Sequence, residues 1–358
     1  MEEYELRKLR KRIDVIDWKL VQLLKERMEI ALKTRKHKES IFDAQREELV
    51  LENVKKYSHS LLRKEFSEKL MKEILKESKE LQRRNLRLIG FQGEHGAFSE
   101  LAALNYNLTL IPIPCREFRD VFDEVKNSTL DFGIVPVENF LEGQVTSVSD
   151  LLIETELVIV GEIVIPVHHC LLALPETSHR EIKIVYSHPQ ALAQCREFIM
   201  RHKFEPRPFY DTAGAAKMLS EERPEGAAVI ANELGAELYQ LEIIEENIED
   251  HPVNATRFVV LAKKGVTGGD KCSIVFSVKH EASALFNVLK IFSAEGINLT
   301  RIESRPEKGN PGRYIFMLDF SGSIENENVK KVLEKVRQKT LRYKFLGCYK
   351  AFKQPASY

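Results

Sequence analysis

The sequence predicts a multidomain chain built from an all-α block, an α/β block and a small α+β block with the order βαββαβ. Three observations predict it. No Gly or Pro occurs before Gly90, and a segment rich in Leu, Lys, Glu and Arg without a helix breaker should be almost all helix. From Gly90 onward, short β-branched runs alternate with helical patterns. After the flexible stretch Gly265-Val-Thr-Gly-Gly, the pattern reads strand, helix, strand, strand, helix, strand, the order of a ferredoxin-like sandwich. A length of 358 residues suits two or three domains.

In the first helix, Leu6, Leu9, Ile13, Ile16, Leu20 and Leu23 step by three and four, giving an apolar stripe. The next stripe positions are Arg27 and Ile30. A cation on an apolar seam is costly unless it meets an anion. Arg27 therefore reads either as a charge paired to a nearby glutamate or as one wall of an anion site. Lys38 lies about 20° from it in helical phase, so two long cationic side chains share one face and could hold a small dianion. Arg10 lies about 100° off that phase and faces a different neighbour, such as a partner subunit. The second helix opens with Asp43 as its expected N-cap, followed by Arg46 and Glu47. On the third, Leu70, Ile74, Ser78 and Gln82 step by four, so two uncharged polar residues continue an apolar face.

In the α/β block the expected strands are Leu108–Ile113, Phe132–Val137, Leu157–Ile165, Ile182–Tyr186, Ala227–Ala231 and Phe258–Leu261. Four polar clusters sit at strand ends, where α/β folds build small-molecule sites. They are Gly90 to Ser99, Pro136-Val-Glu138-Asn139 to Gly143, Ser187-His188-Pro189-Gln190 with Gln194, and Asn254-Ala-Thr256-Arg257-Phe258. The glycine spacing of the first does not fit a dinucleotide loop. His168-His169-Cys170, placed on a strand, would point to opposite faces and could not converge on one ion.

In the last block the expected elements are Cys272–Val278, Ser283–Ala294, Leu299–Arg305, Gly312–Phe320, Glu325–Lys339 and Arg342–Phe352. Ala284-Leu285 opens the first helix, and Asn298-Leu299 with Glu303-Ser304-Arg305-Pro306 lies between the first helix and the third strand.

Lys+Arg and Asp+Glu are both 54, so no basic excess points to nucleic acid or an anionic membrane. Five widely spaced cysteines without C-x-x-C predict no disulfide framework, no zinc site and a reducing, cytoplasmic setting. The first residues lack the apolar core of a signal peptide. The greasiest stretch, Leu157 to Leu174, is too polar to span a bilayer and reads as buried strands. No metal and no cofactor is expected.

Taken in order, Leu-Arg10-Lys-Arg-Ile-Asp-x-x-Asp17, Glu-Arg27, Lys38, Asp43-x-x-Arg46-Glu47 and Ser78-x-x-x-Gln82 resemble the all-helical chorismate mutase family over about residues 4–84. The resemblance implies an intertwined homodimer in which Arg10 reaches the other chain's site. It also implies that Arg10, Arg27 and Arg46 grip carboxylates, Lys38 and Gln82 the breaking ether oxygen, and Asp43 and Glu47 the ring hydroxyl.

Residues 88–264 resemble prephenate dehydratase. The match rests on Glu138-Asn139, Ser187-His-Pro-Gln190 with Gln194, Asp211-Thr212-Ala and Thr256-Arg257-Phe258. This implies two α/β lobes of periplasmic-binding-protein-like form with substrate in the cleft, Thr256 at the leaving hydroxyl and Arg257 on a carboxylate. Phe140 stands where the family usually has Ser or Thr, and Ala97 where Ser is common. Residues 271–352 resemble the ACT amino-acid-sensing domain, with Ser283 at the expected glycine and Ala282 at the usual proline. Its ligand residues would be Ser283, Ala284, Leu285, Asn298, Leu299, Glu303, Ser304, Arg305 and Pro306, and its effector L-phenylalanine.

The whole resembles the bifunctional mutase–dehydratase family of phenylalanine synthesis, with domains 1–86, 87–264 and 270–354. Its substrates would be chorismate and prephenate, in a homodimer or higher homo-oligomer. Two other readings are an arogenate-using dehydratase with a mutase domain and a non-catalytic amino-acid-binding regulator. The presence of Arg10, Arg27, Lys38, Arg46 and Gln82 beside Thr256 argues against the second.

Overall fold

The computed structural model describes residues 2–307, 309–310 and 312–352, so positions 353 and 354 of the expected third domain lie outside the described residues. The chain forms two compact units, Met1–Leu88 with Ser128–Leu130, and Ile89–Asn127 with Asp131–Tyr358.

The first unit holds three helices, α1 (Glu2–Arg35), α2 (Ala44–Tyr57) and α3 (Lys64–Arg83). Asp43 caps α2, its carboxylate accepting the Arg46 N–H at 2.9 Å. Trp18 and Leu32 are buried, but the stripe Leu6, Leu9, Ile13, Ile16, Leu20, Leu23 is about half exposed, at 47–60%. An apolar stripe left in water is the kind of face that packs against another surface. One expectation is corrected. The first helix stops at Arg35, so Lys38 is not on its face; it follows a turn in which Arg35 donates to the Lys38 carbonyl at 2.7 Å.

The second unit opens with a two-lobed α/β region. The first lobe contains β1 (Leu88–Gln92), α4 (Phe98–Tyr106), β2 (Ile111–Cys115), α5 (Phe118–Lys126), β3 (Phe132–Asn139), β4 (Gly143–Gln144), α6 (Thr146–Glu154) and β5 (Val158–Pro166). The chain then builds the second lobe from β6 (Cys170–Ala173), β7 (Ile184–Ser187), α7 (Pro189–Gln194), α8 (Arg196–His202), β8 (Glu205–Pro208), α9 (Thr212–Glu222), β9 (Ala227–Ala231), α10 (Glu233–Tyr239) and β10 (Glu242–Glu245). It returns through β11 (Ala255–Ala262), which is inserted between β3 and β5. The strand orders are β2-β1-β3-β11-β5, with β4 on β3, and β10-β6-β9-β7-β8. Two edge strands were not expected. β8 reads Glu-Pro-Arg-Pro and is exposed throughout, a pattern open only to an edge. β10 is exposed at three of its four positions and lacks period-2 burial.

The last region has the expected order: β12 (Lys271–Ser277), α11 (Ala284–Ala294), β13 (Leu299–Pro306), β14 (Tyr314–Ser321), α12 (Glu327–Lys339) and β15 (Arg342–Tyr349). Its antiparallel sheet runs β13-β14-β12-β15. It does not hang on a free linker but packs against the first lobe within the same compact unit. A Cβ on Gly347, whose φ is +147°, would lie 2.2 Å from the Ile159 carbonyl of β5. Lys344 donates to the carbonyls of Leu152 (2.9 Å), Ile153 (3.2 Å) and Thr155, and Arg342 to that of Ile153, so β15 caps the C-terminus of α6.

Candidate active sites

In the helical unit a cavity of about 280 Å³ is lined by Arg27, Lys38, Asp43, Arg46, Glu47, Ser78 and Gln82, together with Ile30, Ala31, Thr34, Ile41, Val50, Leu75 and Lys79. All the predicted mutase residues except Arg10 therefore meet on one wall or another. Arg10 lies on the exposed part of α1 and does not line this cavity. Arg27 donates to the Ser78 hydroxyl at 3.2 Å, and Gln82 to the Ala31 carbonyl at 2.9 Å, which fixes both side chains. Burial, and then the charge of Arg46, lower the Arg27 guanidinium from its ordinary pKa. Two like charges held together in a half-buried cavity are relieved by an anion between them. Lys79, which sequence reasoning passed over, pairs with Glu47 at 3.0 Å and holds that carboxylate in place. Its signal was available: it follows Ser78 on α3 and shares the turn facing α2.

In the α/β unit a cavity of about 390 Å³ lies between the lobes, within the usual range for a small-molecule site. The first lobe supplies Asn139, Thr256 and Phe258 from β3 and β11, and the second supplies Gln194, Asp211 and Thr212 from α7 and the start of α9. Asn139 and Thr256 are register partners across β3 and β11. The Asn139 amide donates to the Thr256 hydroxyl at 3.0 Å and to the Asn254 side-chain oxygen at 2.8 Å. Its own oxygen accepts from the N–H groups of Leu141 and Glu142, both at 3.0 Å. Because the Thr256 oxygen accepts from Asn139, its proton is left to donate into the cavity.

Three predicted residues are not brought to this cavity. Successive side chains on a strand point to opposite faces. Arg257 therefore points away from Thr256, and Glu138 away from Asn139. Arg257 is buried against the C-terminal sheet, donating to Glu162 (2.7 Å), Asp319 (2.8 Å) and the Tyr349 hydroxyl (3.1 Å). Burial alone would lower its pKa, but Asp319, Tyr349 and Glu162 reverse this and hold it above the ordinary value. Glu138 lies 3.7 Å from Arg301 of β13. Ser187 is fully buried, its hydroxyl donating to the Ile230 carbonyl at 2.6 Å, a packing role within the second lobe.

Gln92 and Phe98, from the Gly90–Ser99 cluster, also line the cavity, together with His169 and Tyr210, which the sequence did not assign to it. The sequence places His169 on a strand with His168 and Cys170, where the three could not share an ion; in the structure it precedes β6. Its orientation follows from a chain of donors. The Glu142 carboxylate can only accept, so Gln194 donates to it at 2.7 Å. The Gln194 oxygen then accepts from His169 Nε2 at 2.8 Å, leaving Nδ1 as an unprotonated, buried lone pair. Burial lowers the His169 pKa, so the ring is neutral. Asp211 caps α9, accepting from Ala213 (2.7 Å) and Gly214 (3.0 Å), and burial raises its carboxyl. None of the residues lining this cavity is Lys or Arg.

In the C-terminal region, Ala284 and Leu285 line a cavity of about 160 Å³ with Val278, Glu281, Arg313 and Phe316. Ser283 precedes it at φ +65°, the left-handed conformation that explains why a glycine is expected there. Asn298, Leu299, Glu303, Ser304, Arg305 and Pro306 do not line it; they lie on or beside the edge strand β13. Arg305 pairs with Asp150 of α6 at 3.1 Å, and Glu303 with Arg301, while burial raises the Glu303 carboxyl. The five cysteines are free and buried. No helix among the described residues is long and apolar enough to cross a membrane.

Three family profiles match in order: chorismate mutase type II at residues 9–83, prephenate dehydratase at 89–266 and the ACT domain at 273–338. The bifunctional chorismate mutase/prephenate dehydratase of Aquifex aeolicus is 37% identical over 96% of this chain and 98% of its own length. The structure of a prephenate dehydratase from Arthrobacter aurescens in complex with L-Phe superposes with a TM-score of 0.68, at 31% identity, over 75% of this chain and 92% of that one. A structure described as GqqA, a novel type of quorum-quenching acylase, gives 0.69 at 32% identity over 74% and 98%. With all three profiles in order and near-complete coverage of a curated relative, the chain belongs to the bifunctional chorismate mutase/prephenate dehydratase family.

Proposed function

We propose that the helical cavity rearranges chorismate to prephenate and that the interlobe cavity converts prephenate to phenylpyruvate. The boundaries assigned to these activities are residues 1–86 and 87–264, with a sensing domain at 270–354. For the mutase, the observation that carries the assignment is the meeting of Arg27, Lys38, Arg46 and Gln82 around one cavity. The rearrangement needs no nucleophile or proton donor. It needs the compact conformer of the substrate held in place and the growing charge on the ether oxygen stabilised. Cations and an amide fixed before the substrate arrives do both.

For the dehydratase, the carrying observation is the Asn139 amide on the Thr256 hydroxyl. The reaction breaks the ring C–O bond and the bond to the ring carboxylate. Water and CO2 leave as the ring becomes aromatic. Thr256 donates to the departing hydroxyl, and Asn139 stabilises the charge that this donation leaves on Thr256. With Arg257 turned away, carboxylate recognition falls to neutral donors. The start of α4 supports this: its cap, Ala97, offers no side-chain acceptor, and Phe98 and Ser99 line the cavity, so its first N–H groups suit an anion.

The reading also includes inhibition by L-phenylalanine at the C-terminal domain. What supports it is the wiring of β13 and β14 to the dehydratase through Arg301–Glu138, Arg305–Asp150 and Asp319–Arg257. A homodimer is supported by the uncovered stripe on α1, which bears Arg10 near its start. Five free thiols suit a reducing cytoplasm. The test is to supply chorismate and follow prephenate and phenylpyruvate with time. Accumulation of prephenate without phenylpyruvate, with turnover of arogenate instead, would transfer the second site to the arogenate reaction.

A further inference from the structure

In the second lobe, His179, His202 and Glu245 bring one ligand atom each to within 4.8 Å of one another. They come from three separate segments: the short turn of helix His179–Glu181 before β7, the last residue of α8, and the end of the edge strand β10. None of them lines the interlobe cavity. A second observation points to a ligand. The Nε2 atom of His179 is buried and has no hydrogen-bond partner. A buried ring nitrogen left unpaired costs free energy that a bound ion would recover.

The two rings are held by packing. His202 stacks on Phe204 at 5.4 Å with an interplanar angle of 17°, and its other neighbour Phe198 lies at 4.6 Å. His179 meets His202 edge-on, at 4.9 Å and 70°, and also touches Phe204. The imidazoles are thus fixed before any ion arrives, while Glu245 is exposed and free to swing in.

We propose that His179, His202 and Glu245 bind a divalent cation of the zinc class. Two imidazole nitrogens and one carboxylate oxygen suit Zn²⁺, Co²⁺ or Ni²⁺ and not the oxygen-seeking Mg²⁺ or Ca²⁺. Three protein ligands leave the fourth tetrahedral position to solvent. The ion would tie β10, an exposed edge strand, to α8 and to the turn before β7. Its effect is on the cohesion of the second lobe and not on the chemistry between the lobes. No cysteine competes in the folded chain, since all five are buried.

The test uses the full chain, stripped with chelator and titrated with Zn²⁺ by calorimetry, with Co²⁺ as a spectroscopic probe. One tight equivalent is expected, together with a rise in the unfolding temperature when zinc is added. Glu245→Gln, at an exposed position, should weaken that equivalent by about 10-fold or more, since losing a direct ligand costs at least what losing its supporting partner does. The double variant His179→Gln/His202→Gln should abolish it. Zinc binding of unchanged affinity in Glu245→Gln and in the double variant would place the ion on other histidines and overturn the proposal. So would the absence of binding at millimolar zinc. If the double variant does not fold, Glu245→Gln and the Co²⁺ spectrum of the parent decide: a spectrum of an octahedral aquo ion counts against the site.

Discussion

Arg257 of β11 and Asp319 of β14 meet at 2.8 Å in a buried ion pair, so the residue that follows Thr256 is gripped by the C-terminal sheet. Ser273 donates to the other Asp319 oxygen at 2.6 Å, and Lys271 reaches Glu162 at 2.9 Å. Every charge in the cluster has a partner. Removing one member of such a pair strands the other in a low-dielectric setting.

Asp319→Asn should therefore lower stability by about 3–5 kcal/mol, the usual scale for breaking a buried pair from one side. The dehydratase should lose activity, because Thr256 shares a strand with the stranded arginine. Thermal unfolding and prephenate turnover are the two readings. Arg257 holds the Asp319 carboxyl below its ordinary pKa against the opposing effect of burial. A lowered carboxyl stabilises the fold above the unfolded value of about 3.9 and loses that contribution as pH falls through the folded value. The parent protein should keep this contribution at mildly acidic pH, and the difference between parent and Asp319→Asn should vanish only in strong acid.

Thr256→Ala should cut prephenate turnover by about 10²-fold or more, the scale for losing a positioned donor to a leaving group. Thr256→Ser should retain much more. Asn139→Ala should lower kcat more than it changes KM, since the amide acts on the threonine oxygen and not on the bound substrate. Near-normal kcat in Thr256→Ala would remove this residue from the mechanism.

Arg27→Ala should abolish chorismate turnover and leave prephenate turnover in place. The two cavities belong to different compact units and share no residue. Parallel loss of both activities in a folded variant would contradict the assignment of separate sites.

His169 gives a pH dependence of opposite origin. Burial lowers its pKa below the ordinary 6.5, so the folded state prefers the neutral ring while the unfolded chain takes up a proton near that value. Stability should be constant above this range and fall as pH drops below it. In His169→Gln, which keeps a polar partner for Gln194, this part of the slope should disappear from pH-dependent unfolding.

Ser283 adopts a left-handed conformation at φ +65° that costs an L-residue about 1–2 kcal/mol. Ser283→Gly should relieve most of that strain and raise the unfolding temperature. Calorimetry with L-phenylalanine should show equal or tighter binding, because the turn leads directly into Ala284 and Leu285. Weaker binding would mean that the serine hydroxyl itself contacts the effector.

Much of the chain was readable from residues alone. The absence of Gly and Pro before Gly90 gives three helices, and the polar residues interrupting their apolar faces are the ones that line the helical cavity. The reading of Lys38 reached the right neighbourhood for the wrong reason. It extended a helical phase past Arg35, whereas a turn brings the lysine round. In the α/β block, motif adjacency concealed geometry. Thr256 and Arg257 are neighbours in sequence and opposites in space, as the period of two requires. The same rule, used against a shared metal ion at His168-His169-Cys170, does not apply to His168 and His169, which precede β6. No local signal reveals that the arginine beside Thr256 pairs with Glu162 of the neighbouring strand and with Asp319 of the C-terminal sheet, because both lie far off in the sequence.

The close approach of Gly347 to the Ile159 carbonyl has a bearing on protein engineering. Sensor blocks of this kind invite exchange as cassettes, to give an enzyme a new effector. Here a graft must carry a glycine where β15 crosses β5, or the transplanted sheet is held off by a side chain with nowhere to go. It must also bring an acid to the position of Asp319 and bases to those of Arg342 and Lys344. Chimeras chosen only by matching the ends of the linker would join two well-folded pieces across an unsealed seam, with an orphaned guanidinium on the recipient side. Compatibility is written in the contact face, not in the hinge.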